Sequence, residues 1–242
     1  MPAYDVCMCY HPKDAFTLEH SVRSIRQNLP DAKTVYIISK EDPEVEGCVW
    51  IPESSYPFSK EDVGKIIHCE TRVGWYYQQL LKLYCYRVLP SISEHILILD
   101  TDVIIREKID FFEGDKILLG VSPENNVEYF LHMERLLPLK KQTEYSGIVH
   151  HMMTKRNHME TILQEIERIH QQPAWKILIS LVNPEYYDNS GMSEYEIYFN
   201  YCLKNYPTEY KYRILPFANC TSFREVSERK EPLVAIHAWH HW

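Results

Sequence analysis

Apolar and polar positions alternate along this chain in two rhythms. Residues 4–10 form a short, nearly unbroken apolar run that predicts a first strand. Residues 15–28 follow with apolar side chains at helical spacing (Phe16, Leu18, Val22, Ile25, then Leu29), and Pro30 stops the helix. Residues 34–39, Thr-Val-Tyr-Ile-Ile-Ser, are the β-branched run expected of a buried parallel strand. Strand, helix and strand in about 35 residues make a βαβ unit.

Residues 41–70 are rich in Pro, Ser and charge and read mostly as loop. Residues 75–89 read as a second helix, ended by Pro90. Residues 95–99, His-Ile-Leu-Ile-Leu, are the most apolar strand, and Val103-Ile104-Ile105 continues just beyond it. Further strands are expected at 118–122 and 145–153, and a charged amphipathic helix at 155–170. Residues 193–203 read as a helix with a capping box, Ser193 at the cap and Glu196 three residues on. Residues 233–237 read as a final strand before a His/Trp-rich end. There is no internal repeat, low-complexity tract or linker. The expectation is one α/β domain over 1–242, with a central, mainly parallel twisted sheet flanked by helices. The ending on Trp242, without a polar tail, also suits one domain of a longer polypeptide.

Composition narrows the function. The 242 residues carry a net charge of −8, which argues against broad binding to nucleic acid. The seven cysteines are odd in number and include no C-x-x-C pair. They read as reduced, mostly buried thiols in a reducing compartment, hence a cytoplasmic expectation. No apolar run approaches the roughly 20 residues of a membrane span, and the N-terminus reaches Asp5 without a secretory pattern. Eighteen tyrosines and five tryptophans are many for this length. Most read as core and interface side chains with a bonded polar tip, although such rings also suit sugars and nucleobases.

The strongest chemical signal is Asp100-Thr101-Asp102, which directly follows the most apolar strand. Ligands of open α/β sheets bind outside the carboxyl ends of strands. Period-two geometry puts Asp100 and Asp102 on one side. Two close carboxylates need neutralising, and a divalent cation such as Mg²⁺ or Mn²⁺ does so while also holding phosphates. The alternative is a pair of solvated loop aspartates.

Four stretches in order extend this signal. They are Gly74-Trp75-Tyr76-Tyr77-Gln78-Gln79-Leu80-Leu81-Lys82-Leu83-Tyr84, then 97–102, then Ser190-Gly191-Met192-Ser193-Glu194-Tyr195-Glu196-Ile197-Tyr198-Phe199-Asn200, then His237-Ala238-Trp239-His240. Together they resemble GT-A glycosyltransferases, in particular a bacterial and large-virus glycosyltransferase-like family with an Asp-x-Asp motif. The resemblance implies a GT-A domain with a nucleotide-sugar half near 1–122 and an acceptor half near 123–242. It implies transfer of a hexose, such as galactose or glucose, from a UDP-sugar to a hydroxyl of a glycan or glycoconjugate, with Mn²⁺ or Mg²⁺. In it, Asp102 is a direct metal ligand, and Asp100 contacts the ribose or donor sugar and the metal through water. A C-terminal histidine completes the shell: His237, with His240 as the competitor. The loop after the first strand holds base and ribose, so Tyr10 stacks on uracil and Lys13 or Asp14 reaches polar edges. A carboxylate at a helix start, Glu194 or else Asp188, is the base if the reaction inverts configuration.

Other candidates rest on residue type. Gln78, Gln79 and Lys82 lie on the helix before the acidic pair, and Gln78 and Lys82 share a face. A lysine there meets a phosphate or sugar hydroxyl, and a glutamine both donates and accepts. The alternative is an exposed polar face. Thr101 is counted with the donor-binding residues, and Tyr145-Ser146-Gly147 and His150-His151 with the acceptor side. Two other readings stay open. A nucleotidyltransferase also pairs carboxylates with a metal, but no glycine precedes Gly47 to form an early phosphate loop. A nucleotide-sugar or carbohydrate-binding module without catalysis is the non-enzymatic reading.

Overall fold

The computed structural model of the chain describes residues 2–237, so His240 and the other residues past His237 lie outside the described residues. In chain order the elements begin β1 (Tyr4–Cys9), α1 (Ala15–Asn28), β2 (Ala32–Ser39), β3 (Val49–Pro52), α2 (Lys60–Gly64), α3 (Glu70–Val88), β4 (His95–Leu99) and β5 (Val103–Ile105). They continue with β6 (Phe112–Glu113), β7 (Lys116–Gly120), α4 (Val127–Leu136), β8 (His151–Lys155), α5 (Arg156–His170) and α6 (Ala174–Ser180). The last are α7 (Glu194–Asn205), β9 (Tyr210–Arg213), β10 (Phe217–Cys220), α8 (Phe223–Glu228) and β11 (Leu233–Ile236).

The main sheet has five strands in the order β3-β2-β1-β4-β8. β1 pairs in parallel with both β2 and β4, and only β8 runs antiparallel, against β4. This is the mixed α/β architecture expected, with a mostly parallel sheet flanked by helices. The order has one reversal. The chain steps outward from β1 to β2 to β3, then returns to lay β4 on the other side of β1. Sheets of this kind bind ligands at that switch point, outside the carboxyl ends of the two strands.

Apolar sequence explains the layering. Ile96, Leu97, Ile98 and Leu99 are all 0% exposed, as a strand covered on both faces requires. Tyr76, Leu80 and Leu83 turn the inner face of α3 into the core. Burying one such side chain contributes about 1.5–3 kcal/mol. Most tyrosines follow the interior reading. The Tyr76 hydroxyl donates to Tyr186 O (2.8 Å), while those of Tyr84 and Tyr198 accept from the N–H of Trp175 (2.8 Å) and Lys155 (2.7 Å). The cysteines are free thiols, and Cys7, Cys9, Cys85, Cys202 and Cys220 are buried.

Some boundaries depart from the sequence pattern. The supposed loop at 41–70 contains β3 and α2, and Ser59 with Asp62 closes a full capping box on α2. Local composition masked this, because β3 is an edge strand with Val49 and Trp50 exposed. The strand expected at 145–153 is only β8, from His151. Its first half is turned aside where Ser146 bridges Ser122. The capping box at α7 is half made. Ser193 accepts from Glu196 N (3.2 Å), but the Glu196 carboxylate turns to Ser146 and Asn200 instead. No helix among the described residues is long and apolar enough to cross a membrane.

Two buried histidines make stability depend on pH. His132 gives one ring nitrogen to Leu178 O (2.8 Å), and burial pushes its pKa down to about 4. Burial pushes His151 down to about 3. Both are neutral in the fold and take up a proton when unfolded below about pH 6.5. Stability is therefore complete above that pH and lost progressively as pH falls toward 4, by up to about 1.4 kcal/mol per unit for each ring. The urea midpoint is expected to drop between about pH 7 and pH 5, and His132→Asn to flatten the slope. A midpoint that ignores pH over this range rules the account out.

Candidate functional site

Most of the residues singled out in the sequence gather near the carboxyl ends of β1 and β4. β4 ends at Leu99, the turn is Asp100-Thr101-Asp102, and the chain then leaves the main sheet. β5 pairs antiparallel with β11 in a second sheet of three strands. The turn is fixed by the main chain on both sides: Asp100 N donates to His150 O (3.3 Å) and Ile236 N to Asp102 O (2.8 Å). It is also tied to the loop after β1. The Thr101 hydroxyl donates to Asp14 Oδ2 (3.1 Å), and the Thr17 hydroxyl donates to both Asp14 O (2.9 Å) and Thr101 O (3.2 Å). Burial, with Asp102 and Asp100 adding repulsion against the pull of Lys13, raises the Asp14 pKa to about 6.

One lysine joins three elements. Lys82, on α3, donates at 2.8 Å to Asp100 Oδ1 and at 2.8 Å to Glu194 Oε1. Its side chain is 5% exposed, and its ammonium lies 4.9 Å from the Tyr195 ring centre. Burial opposes the charge, but the two carboxylates outweigh it and hold the lysine well above its usual range. The polar-face alternative for Lys82 is thus excluded. Glu194 opens α7, where the helix dipole favours an anion, and its N–H donates to Gln79 Oε1 (3.0 Å). Asp100 Oδ2 lies 3.5 Å from His150 Nδ1. Burial would raise the Asp100 pKa, but Lys82 and then His150 bring it far below the normal range. The His150 pKa is raised: burial disfavours its cation, and Asp100 more than compensates.

Asp102 faces the other way. Its Oδ2 lies 3.3 Å from His237 Nδ1, because β11 ends alongside the turn. Its Oδ1 is buried and has no hydrogen-bond partner among the described residues. Of the expected metal trio, then, Asp102 and His237 come together, while Asp100 is committed to Lys82 and His150. Among the described residues no group of three or more His, Cys, Asp or Glu gathers around a common point. Asp102 and His237 still fit a cation such as Mg²⁺ or Mn²⁺, which takes one or two protein ligands and fills its shell with phosphate and water.

The other candidates divide. Gln78 Nε2 donates to Cys9 O (3.3 Å), holding α3 to the end of β1. Tyr10 is half-buried on the switch-point loop, and Lys13 is exposed beside it. Thr101 is 2% exposed, and its hydroxyl is used on Asp14. Asp188 is exposed in the 184–193 segment and takes no part in the bonds of the Lys82 cluster that Glu194 joins. That segment is stapled to α3 by Arg72, which donates to Asn189 O (3.0 Å) and Ser190 Oγ (3.1 Å). Gly191 is required there: a Cβ would meet Val182 Cγ1 at 2.5 Å and the Tyr76 hydroxyl at 2.9 Å. His151 points into the core, but His150 reaches the acidic turn and bonds Asn219 Oδ1 through Nε2 (2.9 Å). Asn219 and Tyr195 are not among the expected site residues. Nothing local marks Asn219, since a separate sheet delivers it, and Tyr195 is hidden among many interior tyrosines.

The model of a family of unknown function (DUF6492) matches residues 20–216. The chain belongs to that family. No curated protein matches it in sequence. Among solved structures it is similar to mouse xyloside xylosyltransferase 1 in its apo form, at 10% identity and a TM-score of 0.46, covering 97% of this chain and 97% of that one. It is also similar to galactosyltransferase LgtC in complex with donor and acceptor sugar analogs, at 12% identity and a TM-score of 0.49, covering 96% of this chain and 86% of that one.

Lys82 offers a direct test of the electrostatics. Lys82→Met leaves Glu194 buried without its counter-charge and Asp100 with His150 alone, and the expected cost is about 3–5 kcal/mol in urea unfolding. Adding Glu194→Gln should recover part of that loss. A stability unchanged by Lys82→Met would show that the cluster is hydrated rather than paired.

Proposed function

We propose that this chain is a metal-dependent glycosyltransferase that moves a hexose from a UDP-sugar to a hydroxyl of a glycan or glycoconjugate. The observation that carries the reading is an acidic turn at the sheet's switch point whose two aspartates have different partners. Asp102 is paired with His237 and has one oxygen left over, which suits a cation that also binds phosphate. Asp100 is held ionised by Lys82 and His150, which suits a fixed acceptor of hydrogen bonds from ribose or sugar hydroxyls.

The remaining assignments follow from position. Tyr10, with Lys13 beside it, borders the switch-point crevice and would meet the base and ribose. Gln78 and Gln79 fix α3 against that crevice, Gln78 on Cys9 O and Gln79 on the N–H of Glu194. Lys82, whose charge is balanced by Asp100 and Glu194, fixes the acidic turn against which a diphosphate would lie. When bound, Mn²⁺ or Mg²⁺ would stabilise the departing diphosphate. If configuration inverts, Glu194 or Asp188 is the carboxylate offered to the acceptor proton. Glu194 is the nearer to the acidic turn, although its Oε1 is engaged by Lys82.

The test has two parts. UDP release from a panel of UDP-sugars is expected to require Mn²⁺ or Mg²⁺. Mn²⁺ binding, followed by paramagnetic resonance with UDP present, is expected to weaken by at least about tenfold in Asp102→Asn. Binding undisturbed by Asp102→Asn sinks the metal assignment. The transfer reading fails if metal and UDP-sugar bind but no donor is turned over with any acceptor.

A further inference from the structure

A cleft of about 460 Å³ lies between the residues that precede β8, the C-terminal end of α7, and β9. Leu203, on its wall, is nine residues along α7 from Glu194, or about 14 Å along the helix axis. Its size falls within the range of small-molecule sites, about 300–1,000 Å³.

The lining points to one ligand chemistry. Tyr212 contributes an aromatic ring that is 42% exposed, and its hydroxyl makes no hydrogen bond to a described residue. The ring makes a tilted contact with Tyr145 (centres 5.9 Å) and an edge-on contact with Phe199 (6.4 Å). Gln142 adds an amide, while the Thr143 hydroxyl is engaged by the main chain of Tyr145, donating to its carbonyl (3.2 Å) and accepting from its N–H (3.2 Å). The cation of Lys211 is neutralised by Glu113. The wall is also preorganised. Gln142 N donates to Asn200 Oδ1 (2.8 Å), Asn200 Nδ2 donates to Glu196 Oε2 (2.8 Å), and the Ser146 hydroxyl donates to the other Glu196 oxygen. Gln142 Nε2 is used on Lys140 O (2.6 Å), which leaves its carbonyl oxygen to accept.

An anion finds no free cation on these walls, and an apolar ligand leaves the Gln142 carbonyl oxygen and the Tyr212 hydroxyl unmatched. A pyranose matches both halves. Its C–H face packs on an aromatic ring, and its hydroxyl rim meets an amide oxygen and a phenol. We propose that this cleft is a second binding site, for a neutral saccharide chain, separate from the acidic turn. The claim does not depend on the transfer reaction.

The test is saturation-transfer NMR on the full chain with maltotriose, cellotriose and chitotriose. At least one should bind with a Kd of about 1 mM. Tyr212→Ala should weaken that binding by about tenfold, whereas Tyr212→Phe, which keeps the ring, should change it by less than about threefold. Thermal melts of both variants accompany the titration, so that a signal lost while the fold is intact is a loss of binding. Three results overturn the proposal. None of the trisaccharides binds, or Tyr212→Ala binds as wild type does, or uridine diphosphate with Mn²⁺ displaces the sugar and so places it at the acidic turn. UDP release from UDP-sugars is read separately, so the transfer reading stands or falls on its own assay.

Discussion

The acidic turn at the carboxyl end of the main sheet depends on one buried ammonium. Lys82 ties α3, the turn after β4 and the start of α7 through two bonds of 2.8 Å. Taking three charges out of water is expensive, and the cost is met only when geometry and partners are nearly complete. Here they are. Asp100 has Lys82 on one oxygen and His150 on the other, and the Glu194 backbone is anchored by Gln79. A cluster of this kind stabilises weakly in net terms but is unforgiving of loss. It fixes where the three elements meet far more than it fixes whether they fold.

That meeting point is where sheet topology leaves a crevice. β1 and β4 are neighbours in space, and β2 and β3 lie on the far side of β1. The loops after β1 and β4 therefore diverge, and Asp14 and Thr101 bridge them at 3.1 Å. Handing β5 to the second sheet has a further consequence. β11 must lie against β5, and its last residue is followed by His237, which meets Asp102. A carboxylate and an imidazole separated by more than a hundred positions in sequence are thus brought together by one strand pairing.

Legibility in the sequence followed how local each signal was. β1, α1, β4 and α5 could be read within about a residue, because a continuous apolar run or a strong helical stripe depends on nothing distant. The edge strand β3 and the short helices α2 and α6 could not, since tertiary packing rather than composition orders them. In the site, Asp100, Asp102 and Lys82 stood out by type and by placement after or before a buried strand. Their division of labour did not. That Asp100 answers to Lys82 and His150, and Asp102 to His237, is decided by which side of the turn each neighbouring element reaches. Glu196 shows the same limit. Its spacing from Ser193 spelled a capping box, but the competing partners Ser146 and Asn200 belong to the tertiary fold.

The partner choice of Glu194 also bears on what kind of chemistry the site favours. A general base needs a free carboxylate oxygen within reach of the proton it removes. One Glu194 oxygen is bonded to Lys82, and the residue is 4% exposed. Asp188 is unencumbered, but it is exposed and lies outside the cluster. The better-placed carboxylate is therefore the more constrained one, and its clearest physical effect is on Lys82, which it keeps charged and aimed at Asp100. The acidic turn is therefore fixed before any ligand arrives, by an ammonium whose charge two carboxylates balance. On the reading proposed above, Glu194 acts first through Lys82 on the orientation of Asp100, and removal of the acceptor proton is a second demand on the same carboxylate.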